Sequence, residues 1–278
     1  MSPAFTTSRQ YQLGINLITQ YQGPGDIATA VMWWGIRAYS LASVGTKAIR
    51  LRRDSDQSES DFNTVTGGGL DIAAITAFKS TANLFITKLY AQAGSIDLQQ
   101  TTSANQLGLS LTGGPGGKPT ITAASGSTQY LQTASTPSAV SQPYTFSMVA
   151  YPVTLGADMN AGGGVGNIGV SVFQNSAAPN TLRLYGGNIQ LSVTAADSAW
   201  HACNGYVTDP NSIFEVDGTT SSTGDTAFGG VGYNNPPGVY LGTSAGWNGN
   251  LAEMGIFSGG SQATLDAFNA NQRSFYGF

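Results

Sequence analysis

The chain holds three glutamates (Glu59, Glu215 and Glu253), one histidine (His201) and one cysteine (Cys203). Glycoside hydrolysis needs two carboxyl groups across the scissile bond, about 5–5.5 Å apart for retention and about 6.5–9.5 Å for inversion. Glu215 and Asp217 are two positions apart in an alternating run. On a strand they project from one face, about 6–7 Å apart by strand rise. That spacing fits a hydrolase pair, and it also fits the solvated face of a hairpin, which is the favoured reading. His201 and Cys203 share a strand face in the same way, but a metal site or a Cys–His dyad needs a third partner that the nearby sequence does not supply. No metal and no cofactor is expected.

The segment from Lys47 to Asp61 concentrates charge, with Arg50, Arg52 and Arg53 among Asp54, Asp56, Glu59 and Asp61. The carboxylates lack the spacing of a calcium loop and the interleaved arginines repel a cation. An ion-pair cluster of Arg50, Arg52, Arg53, Asp54 and Asp56, fixing this block against the rest of the fold, is the expectation. Tyr233 with Asn234, and Trp247 with Asn248, stand in polar, glycine-rich stretches. Sugar rings stack on such aromatics while amides take their hydroxyls. Buried packing or a subunit contact explains them equally well.

The elements that must position these residues are strands. Thirty-seven glycines and 9% charged residues in 278 positions indicate many tight turns between short strands. Residues 1–25 read as an extended arm closed by Gly23-Pro24-Gly25, with residues 26–278 as one domain. Asp26 reads as the cap of a helix with Ile27, Val31, Trp34, Ala38 and Leu41 on one stripe. A short helix follows Asp71, and Leu84 to Tyr90 reads as a strand. From Tyr144 the period is two: Phe146, Met148 and Ala150, then Leu182 and Leu184, then Ile189, Leu191 and Val193. Asp217-Gly218 closes a hairpin, because both residues accept positive φ. Ser261 caps a last helix carrying Leu265, Phe268, Gln272 and Phe275. A net charge of −4 with 11 basic residues argues against a nucleic-acid partner. The longest apolar stretch is too short to span a membrane, and the start lacks the pattern of a signal peptide.

Two stretches resemble known families. Trp200-His201, then Glu215-Val216-Asp217-Gly218, then Leu251-Ala252-Glu253-Met254 are similar to LamG-like, concanavalin A-like jelly rolls over about residues 140–278. The resemblance implies that Trp200, His201, Asp217, Gly218 and Glu253 are structural. Over about 26–100, Arg37 to Leu41, Ile49 to Asp56, Leu70-Asp71 and Phe85 to Gly94 resemble the catalytic domain of α-L-arabinofuranosidase B. They equally resemble a group of bacteriophage virion proteins. Ala91, Ala93 and Ser95 stand where the common form has Asp, Ser and Asn, which counts against carrying activity across.

The expectation is an all-β, concanavalin A-like jelly-roll sandwich with a few short peripheral helices and the N-terminal arm as an assembly anchor. Its expected function is non-enzymatic: a virion head-decoration, fibre or tail component, made in the host cytoplasm. Its expected partners are capsid or tail neighbours, its own copies in a homo-oligomer, and surface glycans. The alternatives are a carbohydrate-binding module and an arabinofuranosidase-like hydrolase.

Overall fold

The computed structural model describes residues 20–122, 129–135, 140–153, 159–161, 170–174, 181–186, 189–208, 210–222, 238–241 and 249–278. The strands in the first half are β1 (Ala30–Gly35), β2 (Lys47–Arg53), β3 (Glu59–Asn63), β4 (Leu84–Leu89), β5 (Leu98–Gln99), β6 (Leu107–Ser110), β7 (Thr120–Thr122) and β8 (Gln129–Thr133). The second half holds β9 (Tyr144–Pro152), β10 (Met159–Ala161), β11 (Val170–Gln174), β12 (Thr181–Gly186), β13 (Ile189–Thr194) and β14 (His201–Val207). It continues through β15 (Ile213–Val216), β16 (Thr219–Ser222), β17 (Gly238–Leu241) and β18 (Gly249–Ser258). Two α-helices complete the described chain, α1 (Ile72–Lys79) and α2 (Gln262–Tyr276).

The architecture is an all-β sandwich. Its main path runs β16-β15-β14-β9-β18-β7-β6-β4-β5-β8-β17, and β10 to β13 form a separate four-stranded antiparallel sheet. β12 and β13 pack against β15 and β16, so the small sheet covers one end of the large one. Gly205 on β14 permits this approach, since a Cβ there would stand 2.5 Å from the Leu184 side chain. The alternating runs on β9, β12 and β13 bury Phe146, Met148, Leu182, Leu184, Leu191 and Val193 between the layers.

The helix expected from Asp26 to Leu41 does not form. Pro24–Asp26 make a single 3-10 turn, and β1 follows. β1 pairs antiparallel with β18, placing Trp34 opposite Met254 and Gly35 opposite Glu253. Trp33 and Trp34 are adjacent in the chain and both are buried, so both faces of this strand are covered. A doubly buried strand is a continuous apolar run, which periodicity alone does not separate from a helix. The expected stripe also fails on burial, since Val31 is 37% and Leu41 43% exposed.

The helices after Asp71 and Ser261 form where the caps place them. Asp71 accepts from Ala74 N at 2.9 Å, and Ser261 accepts from Thr264 N at 3.3 Å. α1 covers the β2–β3 hairpin with Phe78 against Phe62, ring centres 5.3 Å apart. α2 lies across β14 and β15, burying Leu265, Phe268, Asn269, Gln272 and Tyr276. Among the described residues no helix is long and apolar enough to cross a membrane.

Candidate functional site

Beneath α2 the fold buries polar groups alongside apolar ones. Arg37, just past β1, forms a bidentate ion pair with Glu253 on β18, its Nη2 bond measuring 2.8 Å. Both side chains are essentially inaccessible. Tyr276 donates to Glu253 Oε2 at 2.9 Å, and Gln272 Nε2 reaches both Glu253 Oε1 at 3.0 Å and Ser147 Oγ at 2.9 Å. Asn204 closes the group, donating to Gln272 Oε1 at 3.1 Å and accepting from Ser147 Oγ at 2.6 Å. Glu253 is therefore engaged on both oxygens. Its work is to join β18, α2 and the chain beyond β1.

The neighbouring carboxylate, Glu215 on β15, is placed differently. It is 1% exposed, so the solvated hairpin face expected for it is replaced by burial under α2. The reason is the docking of α2 on this strand, which no local pattern reports. Gln262 Nε2 donates to Glu215 Oε2 at 2.8 Å and to Asp266 Oδ1 at 2.7 Å, and Asn269 Nδ2 donates to Glu215 Oε1 at 2.9 Å. Burial first, then the adjoining Asp266 carboxyl, raises the pKa of Glu215, against the opposing hydrogen bonds from Asn269 and Gln262. Glu215, Gly218, Asp266, Asn269, Ala270 and Arg273 line an open pocket of about 420 Å³. The carboxylate partner of Glu215 is thus Asp266, a residue that the sequence reading did not single out. The only available signal was its place one turn after a helix cap, exposed beside the buried Leu265 of an amphipathic helix.

Asp217 is committed elsewhere. Its Oδ2 lies 2.6 Å from His201 Nδ1 and its Oδ1 accepts from Ala202 N at 2.9 Å. His201 Nε2 lies 2.7 Å from the Ala196 carbonyl oxygen, so both ring nitrogens face acceptors. Burial works against the charged ring, but Asp217 and the Ala196 carbonyl outweigh it, and the pKa of His201 is raised. The histidine therefore has a charge partner that its neighbours in sequence did not reveal: the first residue of the β15–β16 turn. Asp217 has φ 51° and Gly218 φ 85°, the left-handed pair of a tight hairpin. Cys203 is buried, and desolvation pushes its thiol well up. Trp200 packs on Tyr151, ring centres 5.5 Å apart.

The charged run closes partly on its own hairpin and partly on neighbouring segments. Asp61 receives Lys47 Nζ and Arg50 Nε, each at 2.6 Å, and hydrogen bonds led by the one from Arg50 hold its carboxyl well below the usual range. Arg53 pairs with Asp56, whose pKa falls to about 2 through hydrogen bonds from Ser58 and Arg53. Arg52 instead reaches Gln106 Oε1 at 2.7 Å and Gln57 Oε1 at 2.6 Å. Asp54 takes the backbone and side-chain amides of Asn83 at 2.9 and 2.8 Å, and so stands outside the ion pairs. No group of three or more His, Cys, Asp or Glu side chains converges among the described residues. Tyr233, Asn234, Trp247 and Asn248 lie outside the described residues.

The chain is an all-β sandwich with a carboxyl pair at an open pocket. Comparison with solved structures makes the likeness specific at the level of fold. The chain superposes on a GH54 α-L-arabinofuranosidase soaked with a cyclic sulfate inhibitor with a TM-score of 0.72, at 15% identity over 92% of its length. A Glu-to-Gln mutant of a GH54 α-L-arabinofuranosidase soaked with 4-nitrophenyl α-L-arabinofuranoside gives 0.71, at 15% identity over the same share. An arabinofuranosidase complexed with arabinofuranosyl-α-1,2-xylobiose gives 0.69, at 14% identity. The chain spans 65–66% of the length of these enzymes. No family model matches the sequence. No curated protein matches it either.

These matches correct the expectation of a non-enzymatic virion component, because the fold shared over nearly the whole chain is that of glycoside hydrolases. The arabinofuranosidase likeness, read on residues 26–100, extends at the level of fold to 92% of the chain. The LamG-like and phage likenesses gain no support.

Proposed function

We propose that this chain is a glycoside hydrolase of arabinofuranosidase type, with Glu215 and Asp266 as its carboxyl pair. The observation that carries the reading is the pair itself, bridged by one amide and opening on a pocket. Since both accept from Gln262 Nε2, their accepting oxygens lie no farther apart than those two bonds placed end to end. The two carboxyl groups are also close enough to interact directly, which adds to the raised pKa of Glu215. The matched enzymes act on or bind arabinofuranosides, which supports the same substrate class here.

In this reading a bound sugar displaces the Gln262 amide. Glu215, whose raised pKa keeps its proton to higher pH, protonates the departing glycosidic oxygen. The exposed Asp266 carboxylate attacks the anomeric carbon as the glycosidic bond breaks. A water deprotonated by Glu215 then releases the sugar from Asp266, and Asn269 and Arg273 meet the sugar hydroxyls from the pocket wall. The test is release of nitrophenol from 4-nitrophenyl α-L-arabinofuranoside. The expected result is turnover by the wild type and a loss of kcat of about 10²–10⁴ in Glu215→Gln. Asp266→Asn should lose a comparable factor. No turnover by the wild type, or full activity in both variants, would end the proposal.

A further inference from the structure

Far along the large sheet from Glu215, on the β4, β6, β7 and β8 side, lies a second concavity of about 350 Å³ with no carboxylate among its lining residues. Its polar walls are Lys79, Asn83, Ser110, Thr122 and Gln129, and Phe85 supplies an aromatic surface. Phe85 is half-buried, with the Arg52 guanidinium carbon 4.9 Å from its ring centre on one side.

Several of these groups keep hydrogen-bonding capacity in hand. Lys79 has no carboxylate partner among the described residues. Ser110 Oγ accepts from Gly113 N at 3.0 Å and retains its own proton. Asn83 spends its Nδ2 on Asp54 Oδ2 at 2.8 Å, which leaves its side-chain oxygen Oδ1. Gly108 keeps the Thr122 hydroxyl clear, because a Cβ at that position would come within 2.8 Å of Thr122 Oγ1. An aromatic surface ringed by hydroxyl, amide and ammonium groups, without an anion, matches the chemistry of a hydroxyl-rich ring with one apolar face.

We propose that this groove is a second carbohydrate-binding site, which takes a stretch of neutral polysaccharide outside the Glu215–Asp266 pocket. That the groove holds the chain for cleavage rests on the hydrolase reading; the binding itself does not. Its ring contact is Phe85, and its hydroxyl partners are Lys79, Asn83, Ser110 and Thr122.

Affinity electrophoresis of the whole chain through gels containing arabinoxylan tests it, with nitrophenyl arabinofuranoside turnover measured in parallel. The wild type should be retarded. Phe85→Ala should weaken retention about tenfold, the size of one aromatic stacking contact. Thr122→Val, which keeps the shape of the side chain and removes only the hydroxyl, should weaken it by a smaller factor in a chain whose fold is undisturbed. Glu215→Gln should be retained like the wild type, and neither groove variant should change turnover of the small substrate. An unretarded wild type overturns the proposal, as does full retention in both Phe85→Ala and Thr122→Val, or loss of retention in Glu215→Gln. Retention through Phe85 in a wild type without turnover would uphold the groove and remove the hydrolase reading alone.

Discussion

Arg37 and Glu253 stand 216 positions apart and meet in a fully buried ion pair. A buried pair is costly to break one-sidedly, because the remaining charge has neither water nor partner. Glu253→Gln should therefore lower the free energy of unfolding by about 3–5 kcal/mol in urea titration. Replacing both residues with apolar ones of similar volume should cost less than that single change. His201 is the second residue with a clear expectation. Its raised pKa means that the folded state holds the proton more tightly than the unfolded chain. The stability this contributes is complete below the unfolded value of about 6.5 and is lost as pH rises through the folded value. Thermal melts of the wild type should fall across that window, and His201→Gln should flatten the fall. An unchanged slope in the variant would show that the imidazole is not the group responsible.

At the scale of the element, α2 decides what the second half of the chain can do. It brings Gln262, Asp266 and Asn269 to Glu215, and Gln272 and Tyr276 to Glu253. Its start is fixed by Ser261 and its end by Gly277, which adopts φ 76° with its N–H on the Arg273 carbonyl. Ser261→Ala should cost about 1 kcal/mol of stability. It should also lower activity, because the first turn carries Gln262 and Asp266. β14 shows the complementary constraint. Gly205 lies against Leu184 of the small sheet, so Gly205→Val should separate the layers and lower the melting temperature well beyond the effect of a surface change. A melting temperature equal to that of the wild type would show that the two sheets have room between them.

Across the whole molecule, the first described strand pairs with the last. β18 is bonded to β1 and β7 as well as to β9, and β9 to β14 and β18. These strands lie where hydrogen bonds are covered on both sides, so their amides open only with the fold as a whole. Hydrogen exchange should show the slowest amides in β9 and β18, with β16 faster. The same closure means that contacts join distant parts of the sequence, and folding should be correspondingly slow, in the range of milliseconds to seconds. Uniform protection along the chain would contradict this arrangement.

The sequence by itself determined the class. Alternation with period two, glycine-rich turns, the caps at Asp71 and Ser261 and the hairpin at Asp217-Gly218 are local signals, and local sterics and hydrogen bonding produce them directly. β1 was illegible because a strand covered on both faces has no polar side to mark its period. The site was legible by half. Glu215 stood out as one of three glutamates, but the sequence set it beside Asp217, two positions away. Only the tertiary structure turned Asp217 to His201 and lowered α2 onto Glu215, because that choice depends on which helix face the sheet buries. The fold shared with the arabinofuranosidases was likewise decided in three dimensions. At 14–15% identity, the fold persists where most of the residues do not.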